Sequence, residues 1–177
     1  WATMGHKGRL LDIGCGDGLI FELFGKYFKE YLGTDISSDM VVLAKKKHPK
    51  TNFIISPAES LTRHLTRKFD LAISNMLFPS IDNLKTFNRI FSQVNQVLNP
   101  KGYFVVGTTH PHFDGYMQAG IMNRQDIKTN FRGYFYSAQN YVVNRKEGKK
   151  EFSFSDYHWQ LTDYLRAATA AGFILDH

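Results

Sequence analysis

Three glycines at alternate positions, Gly14, Gly16 and Gly18, follow almost directly on an acid, Asp12, that ends a short apolar run, Arg9-Leu10-Leu11-Asp12-Ile13. Few arrangements constrain a chain more. Glycine lets the backbone turn sharply and leaves no Cβ in the path of an approaching group. The run before it has the length and apolar content of a buried strand. After it, Ile20, Leu23, Phe24, Tyr27 and Phe28 recur at helical spacing. Glycines caught between a buried strand and an amphipathic helix mark a ligand loop far more specifically than glycines alone, because the helix start offers free amides to a polar group.

The alternation continues. Tyr31 to Thr34 reads as a second strand, and Ser37 or Ser38 caps a helix through Met40, Leu43 and Ala44 that His48-Pro49 stops. Phe53 to Ile55 is a third strand and Phe69 to Ser74 a fourth. Asp82 can cap a helix with Leu84, Phe87, Phe91, Val94 and Leu98 on one face. Asn99-Pro100-Lys101-Gly102 is a turn into a fifth strand, Tyr103 to Val106. Strand and helix in alternation mean parallel strands joined by right-handed crossovers. The expected fold class is α/β, a doubly wound, Rossmann-like, mostly parallel sheet. Ligands of such sheets bind at the carboxyl ends of the strands, where the strand order reverses.

The pattern changes over residues 108–159. That stretch is rich in aromatics, Phe113, Tyr116, Phe131, Tyr134, Phe135, Tyr136, Tyr141, Phe152, Phe154, Tyr157 and Trp159 among them. Tyr141-Val142-Val143 and Phe152-Ser153-Phe154 flank a polar turn, Arg145 to Lys150, that contains Gly148 and reads as a hairpin. Thr162 can then cap a helix through Leu165, Ala168 and Ala171, closed by Gly172, and Phe173-Ile174-Leu175 begins another strand. The expectation is one domain over residues 1–177, with a cap-like, hairpin-containing insertion at 108–159 after the fifth strand.

Composition bounds the setting. The chain has 177 residues, 43% of them hydrophobic, one cysteine and a net charge of +6. No apolar run suits a membrane span, and no secretory signal is apparent. One cysteine cannot form an internal disulfide, which favours a reducing, cytoplasmic setting. The one dense basic run, Lys45, Lys46, Lys47 and Lys50, sits where a helix ends and cations are favoured. The charge therefore requires no nucleic acid.

Asp35 ends the second strand. An acid there can accept from both hydroxyls of a ribose, and it can also cap the next helix. A dinucleotide fingerprint spaces its glycines as G-x-G-x-x-G. The spacing here differs, and Asp12 would repel a pyrophosphate while attracting an ammonium. A methionine-containing cofactor fits better than NAD, which stays as an alternative.

With these residues in hand, Leu10 to Gly18 resembles the first motif of class I S-adenosylmethionine-dependent methyltransferases. Gly33-Thr34-Asp35-Ile36-Ser37 resembles their second-strand acid motif. Phe69 to Asn75 resembles the fourth strand, and Leu98 to Tyr103 the turn into the fifth. Ser74-Asn75-Met76, Thr109-His110-Pro111 and His158 before Leu161-Thr162-Asp163-Tyr164-Leu165 resemble a small-molecule group within that family. The resemblance implies that Asp12, Gly14, Cys15, Gly16 and Gly18 hold the methionine part of S-adenosyl-L-methionine and Asp35 the ribose. It extends the cofactor set to Ile36, Met40, Ala58, Glu59, Ser74 and Asn75, and implies no metal. Two departures stand out. Pro57 replaces the acid that family members place before Ala-Glu to meet the adenine amino group. The family's closing antiparallel strand pair also looks incomplete, as in a partial chain.

Asn75-Met76-Leu77-Phe78 lacks the prolines that methylation of base amines uses, so a small-molecule acceptor is expected and a nucleic-acid partner is not. His110 and His158 are the candidate bases for a hydroxyl acceptor, with His112 and Tyr116 behind them. Methylation of RNA or protein, and a cofactor-binding module without catalysis, are the competing readings.

Overall fold

The computed structural model describes residues 8–111, 127–128, 133–147 and 150–176. Five strands, β1 (Arg9–Ile13), β2 (Glu30–Asp35), β3 (Asn52–Ile55), β4 (Phe69–Asn75) and β5 (Leu98–Gly107), form one sheet in the order β3-β2-β1-β4-β5. Every pair in it is parallel. The chain leaves β1 for one side of the sheet and returns through β4 to the other. The order therefore reverses between β1 and β4, where a doubly wound sheet opens a crevice. The expected fold class is the observed one.

The helices between strands are α1 (Leu19–Phe24), α2 (Ser38–Lys47) and α3 (Leu84–Val97). α1 is shorter than the periodicity predicts, because the chain tightens into a 3-10 turn over Gly25–Tyr27. Leu10, Tyr31, Phe53 and Leu71 share one face of the sheet and pack with Ile20 of α1 and Val41 and Ala44 of α2. On α3, Ile90, Phe91 and Val94 are buried, and Phe91 meets Phe104 of β5 edge to face, centroids 5.5 Å apart. Full burial of side chains of this size contributes roughly 1.5–3 kcal/mol each. Leu84, expected on the buried face, is half exposed because it lies in the helix's first turn. The cap of α3 is Asn83, whose Oδ1 accepts the Thr86 amide at 2.8 Å; Asp82 instead accepts from the Asn83 side chain.

The predicted turn at Asn99–Gly102 is a bulge inside β5. Phe69 pairs with Leu98 and Leu71 with Tyr103, so the residues between them loop out. Lys101 takes a positive φ of 64°, and Asp70 pins the loop by accepting from Asn99 through one oxygen and from the Arg9 amide through the other, each at 2.7 Å.

The chain divides into two compact units. One runs through Leu77 and resumes over Arg89–Gly107, and the other holds Phe78–Asn88 and the chain from Thr108 onward. The second unit contains β6 (Ile127–Lys128), β7 (Gln139–Glu147), β8 (Lys150–His158) and α4 (Leu161–Ala170), the last helix. β7 and β8 form the expected hairpin, longer than predicted, with pairing from Gln139↔His158 to Glu147↔Lys150. Its turn residue Gly148, and Phe113, Tyr116, Phe131 and His112, lie outside the described residues. Trp159 stacks on Phe87 with centroids 4.4 Å apart and donates Nε1–H to the Ile81 carbonyl at 3.1 Å. Tyr164 meets Phe78 and Phe87 edge to face.

Two expectations near the end of the chain are corrected. The N-cap of α4 is Gln160 rather than Thr162: Gln160 and Asp163 form a reciprocal capping box, with the Gln160 amide bound to Asp163 at 2.8 Å. Phe173 to Leu175 form no strand, and Ile174 and Leu175 are largely exposed. An apolar triplet forms a strand only when a neighbour accepts its backbone bonds. Gly172 does close α4 as expected: its φ is 90°, its amide binds Thr169 and the Phe173 amide binds Ala168, a Schellman closure.

Candidate cofactor site

The glycine loop leaves β1 at the crevice. Gly14, Gly16 and Gly18 all take positive φ, at 71°, 53° and 93°, a region that disfavours side chains. The Thr34 carbonyl at the end of β2 accepts both the Gly14 amide, at 2.8 Å, and the Cys15 amide, at 3.0 Å. Asp35 ties the loop further: its Oδ2 accepts the Gly16 amide and its Oδ1 the Ser37 amide, both at 2.9 Å. The cap reading of Asp35 is thus realised in part. Ser37 is the N-cap of α2, accepting the Met40 amide through Oγ at 3.3 Å. A carboxylate oxygen has room for a second donor, so both oxygens can still receive hydroxyls.

The loop's outer side is held by α2. Lys47 forms an ion pair with Asp17, and the His48 ring lies against Gly18, where a Cβ would come within 2.8 Å of it. A Cβ built on Gly16 meets nothing within 4 Å. Gly16 and Gly18 therefore serve different ends. Gly18 makes room for protein, and Gly16 leaves space beside the crevice.

Asp12 lies beneath the loop and is fully buried. Its Oδ2 accepts the Tyr31 hydroxyl at 2.5 Å, and its Oδ1 has no partner among the described residues. Burial pushes its carboxyl up to about 7, Tyr31 pulling it down and the nearby Asp35 adding to the rise. Cys15 is buried; burial, with Asp12 and Asp35 behind it, pushes its thiol up to about 12, so it stays a neutral packing group. Gly33 opposite Asp12 is required here, since a Cβ on it would strike Phe53 and the Cys15 sulfur.

The remaining expected cofactor residues line the ends of β2 to β4. Ile36 and Met40 are exposed apolar side chains beyond Asp35. Ala58 is buried at the start of a 3-10 turn after Pro57, and the Glu59 carbonyl accepts Arg89 Nε at 2.8 Å. Ser74, next to last in β4, is fully buried, its Oγ unpartnered among the described residues. Asn75 is exposed, with its side-chain oxygen over Gly107, where a Cβ would approach it to 2.7 Å. His110 is exposed. His158 is buried with Nε2 2.9 Å from the Tyr134 carbonyl, which only accepts, so Nε2 carries the proton. Among the described residues no cluster of acids, His and Cys suits a metal, and no helix is long and apolar enough to cross a membrane.

Sequence reasoning missed Tyr31, Thr34, Lys47 and His48. Tyr31 was legible in principle. Side chains alternate along a strand, so Tyr31 and Gly33 share a face, and in register they lie beside Leu10 and Asp12.

Residues 11–106 match the family model described as a methyltransferase domain. The chain belongs to this methyltransferase family. Among relatives of this methyltransferase is the N-demethylindolmycin N-methyltransferase of Streptomyces griseus, 27% identical over 167 residues, which are 93% of this chain and 68% of the relative. Another is the dTDP-3-amino-3,4,6-trideoxy-alpha-D-glucopyranose N,N-dimethyltransferase of Streptomyces venezuelae. It is 30% identical over an alignment of 186 residues, covering 95% of this chain and 76% of that one. In fold the methyltransferase is similar to an S-adenosylmethionine-dependent methyltransferase from Clostridium acetobutylicum, with a TM-score of 0.73 at 17% identity, over 95% of this chain and 74% of the other. It is a class I methyltransferase, and its cofactor is S-adenosylmethionine. The site fits that molecule on two counts: the buried Asp12 Oδ1 lacks a donor among the described residues, and Gly16 leaves open the space a Cβ would begin to fill.

Proposed function

We propose that this methyltransferase acts on a small-molecule acceptor. The observation that carries the reading is the relationship to two enzymes whose names specify small acceptors, N-demethylindolmycin and a dTDP-linked amino sugar, each aligned over more than nine-tenths of this chain. S-adenosylmethionine supplies an activated methyl group with its own leaving group. The protein's task is then alignment. In this reading Asp12 receives the ammonium, the main chain of Gly14, Cys15, Gly16 and Gly18 surrounds the methionine part, and Asp35 accepts the ribose hydroxyls. Ile36 and Met40 flank the adenine, with the Ala58 amide, Glu59, the Ser74 carbonyl and Asn75 completing the set.

From sequence order and aromatic content alone we assign the acceptor side to residues 108–159. His110 is the first choice of base for a hydroxyl acceptor. His158 would have to act through Nδ1, because Nε2 is directed at Tyr134. An amine acceptor that reacts in its neutral form requires less of either. We assign the protein to the cytoplasm on its single cysteine, and without a nucleic-acid partner.

The test is formation of S-adenosylhomocysteine with a panel of small amines, hydroxyl compounds and carboxylic acids beside bulk RNA and protein. Turnover confined to the small molecules supports the reading. Turnover only with RNA or protein overturns it.

A further inference from the structure

Tyr31 has no part in the site as the sequence presents it, yet it makes the one hydrogen bond that reaches the Asp12 side chain among the described residues. Asp12 pairs in register with Gly33 and Leu10 with Tyr31, so the Tyr31 side chain approaches Asp12 diagonally across the position Gly33 leaves bare. The ring is fixed from two sides by edge-to-face contacts, with Phe21 at 5.0 Å and Phe53 at 5.7 Å between centroids. Its hydroxyl donates to Asp12 Oδ2 at 2.5 Å, and both residues are buried. Oδ1 of the same carboxylate has no donor within the protein as described.

We propose that Tyr31 is a positioning residue for the cofactor: by donating to Oδ2 it favours the charged form of Asp12 and turns it so that the unpaired Oδ1 is offered to the cofactor's ammonium. This rests on the reading that Asp12 receives that ammonium. A hydrogen bond to the charged form of an acid favours ionisation, and burial opposes it. The two oppose each other at Asp12. The titratable groups that act on it are Tyr31 and Asp35 on β2 and Cys15 in the loop. Burial and the Asp12 charge push the Tyr31 hydroxyl above its ordinary range and burial does the same to the thiol, so both stay protonated and Tyr31 remains the donor. Leu71 and Ile73, on the adjacent strand β4, bring no charge. With Asp12 held near neutrality, the strength of one hydroxyl decides what fraction of the protein is ready to bind at working pH.

Tyr31→Phe keeps the ring and removes the donor. Hydrogen bonds to charged groups are worth enough to move the acid by about one to two pH units. Calorimetric titration with S-adenosylhomocysteine from pH 5.5 to 9 is the test, reading the ratio of variant to wild-type dissociation constants so that the ligand's own titration cancels. The ratio is expected to be about tenfold or more near pH 7 and to fall towards one by pH 9. A ratio constant with pH overturns the proposal, since a merely structural role predicts that. Asp12→Asn separates this from failure of the underlying reading: if Asp12→Asn binds like wild type at every pH, Asp12 does not receive the ammonium. A measurement on the wild type alone covers a variant that does not fold. Titration at pH 6 in two buffers of different ionisation enthalpy should show release of a large fraction of a proton on binding, and almost none at pH 8.5. No release at pH 6 overturns the proposal as well.

Discussion

The carboxylate of Asp35 accepts the Gly16 amide at 2.9 Å, so the residue expected to hold the ribose also holds the glycine loop in place. Asp35→Ala is therefore expected to act twice. The loop loses a charged acceptor and the cofactor loses its hydroxyl partner, so affinity for S-adenosylhomocysteine falls tenfold or more while stability drops by about 1–3 kcal/mol. Asp35→Asn should be little better, because one of its oxygens becomes a donor facing another donor, either Gly16 or Ser37. Calorimetry and urea unfolding on the same samples check both effects. Unchanged affinity in either variant would remove Asp35 from the cofactor site.

Gly16 and Gly18 should respond differently to the same kind of change. Both have positive φ, but a side chain at Gly16 projects into open space while one at Gly18 meets His48 and Phe53. Gly16→Val is expected to fold with a strain cost of about 1–3 kcal/mol and to lose cofactor binding. Gly18→Val should unfold at markedly lower denaturant. If Gly16→Val is folded by circular dichroism and binds normally, the space beside the loop is not where the cofactor lies.

Asp12 makes stability depend on pH. Its folded value of about 7 lies above its ordinary 3.8. The contribution is fully present below the ordinary value and is lost as pH rises through about 7, on the order of 4 kcal/mol in all at most. Asp12→Asn removes this slope, so the cofactor-free variant should gain on the wild type between pH 5 and pH 8. Urea midpoints at the two values measure the gain. A wild-type and variant difference that does not change with pH would mean that the buried carboxyl is not raised.

The two histidines divide by environment. His158 is buried and bonded to the Tyr134 carbonyl, so His158→Ala should destabilise the protein by about 1–3 kcal/mol through the carbonyl it abandons. His110 is exposed, so His110→Ala should lower the unfolding midpoint less than His158→Ala does. If His110 is the base for a hydroxyl acceptor, kcat falls about 10²–10⁴-fold with cofactor affinity intact. An unaltered kcat on such an acceptor would exclude it.

The sheet was legible because its strands read as short apolar runs, and each of the five was marked by a turn or a cap. The loop was legible because strained backbone demands glycine. What escaped lies where two acceptors compete for one role. Asp82 and Asn83 are adjacent possible caps, and only Asn83 bonds the Thr86 amide. Gln160 outcompetes Thr162 because Asp163 answers it. Phe173 to Leu175 have the composition of a strand but pair with no strand among the described residues, and composition cannot supply one. Lys47 and His48 act on the site from another segment, and that kind of contact exists only once helix packing is fixed.

α2 is attached to the site at both of its ends, through Ser37 and Asp35 at the start and through Lys47 and His48 at the finish. It works as a ruler about 15 Å long, at 1.5 Å for each of its ten residues. Its length is consequently fixed in steps of whole turns. Adding one residue would swing Lys47 and His48 about 100° around the helix, away from Asp17 and Gly18, whereas changing an outward side chain such as Val42 would leave both attachments in place. Natural variation in this segment should therefore be rich in substitutions and poor in insertions and deletions.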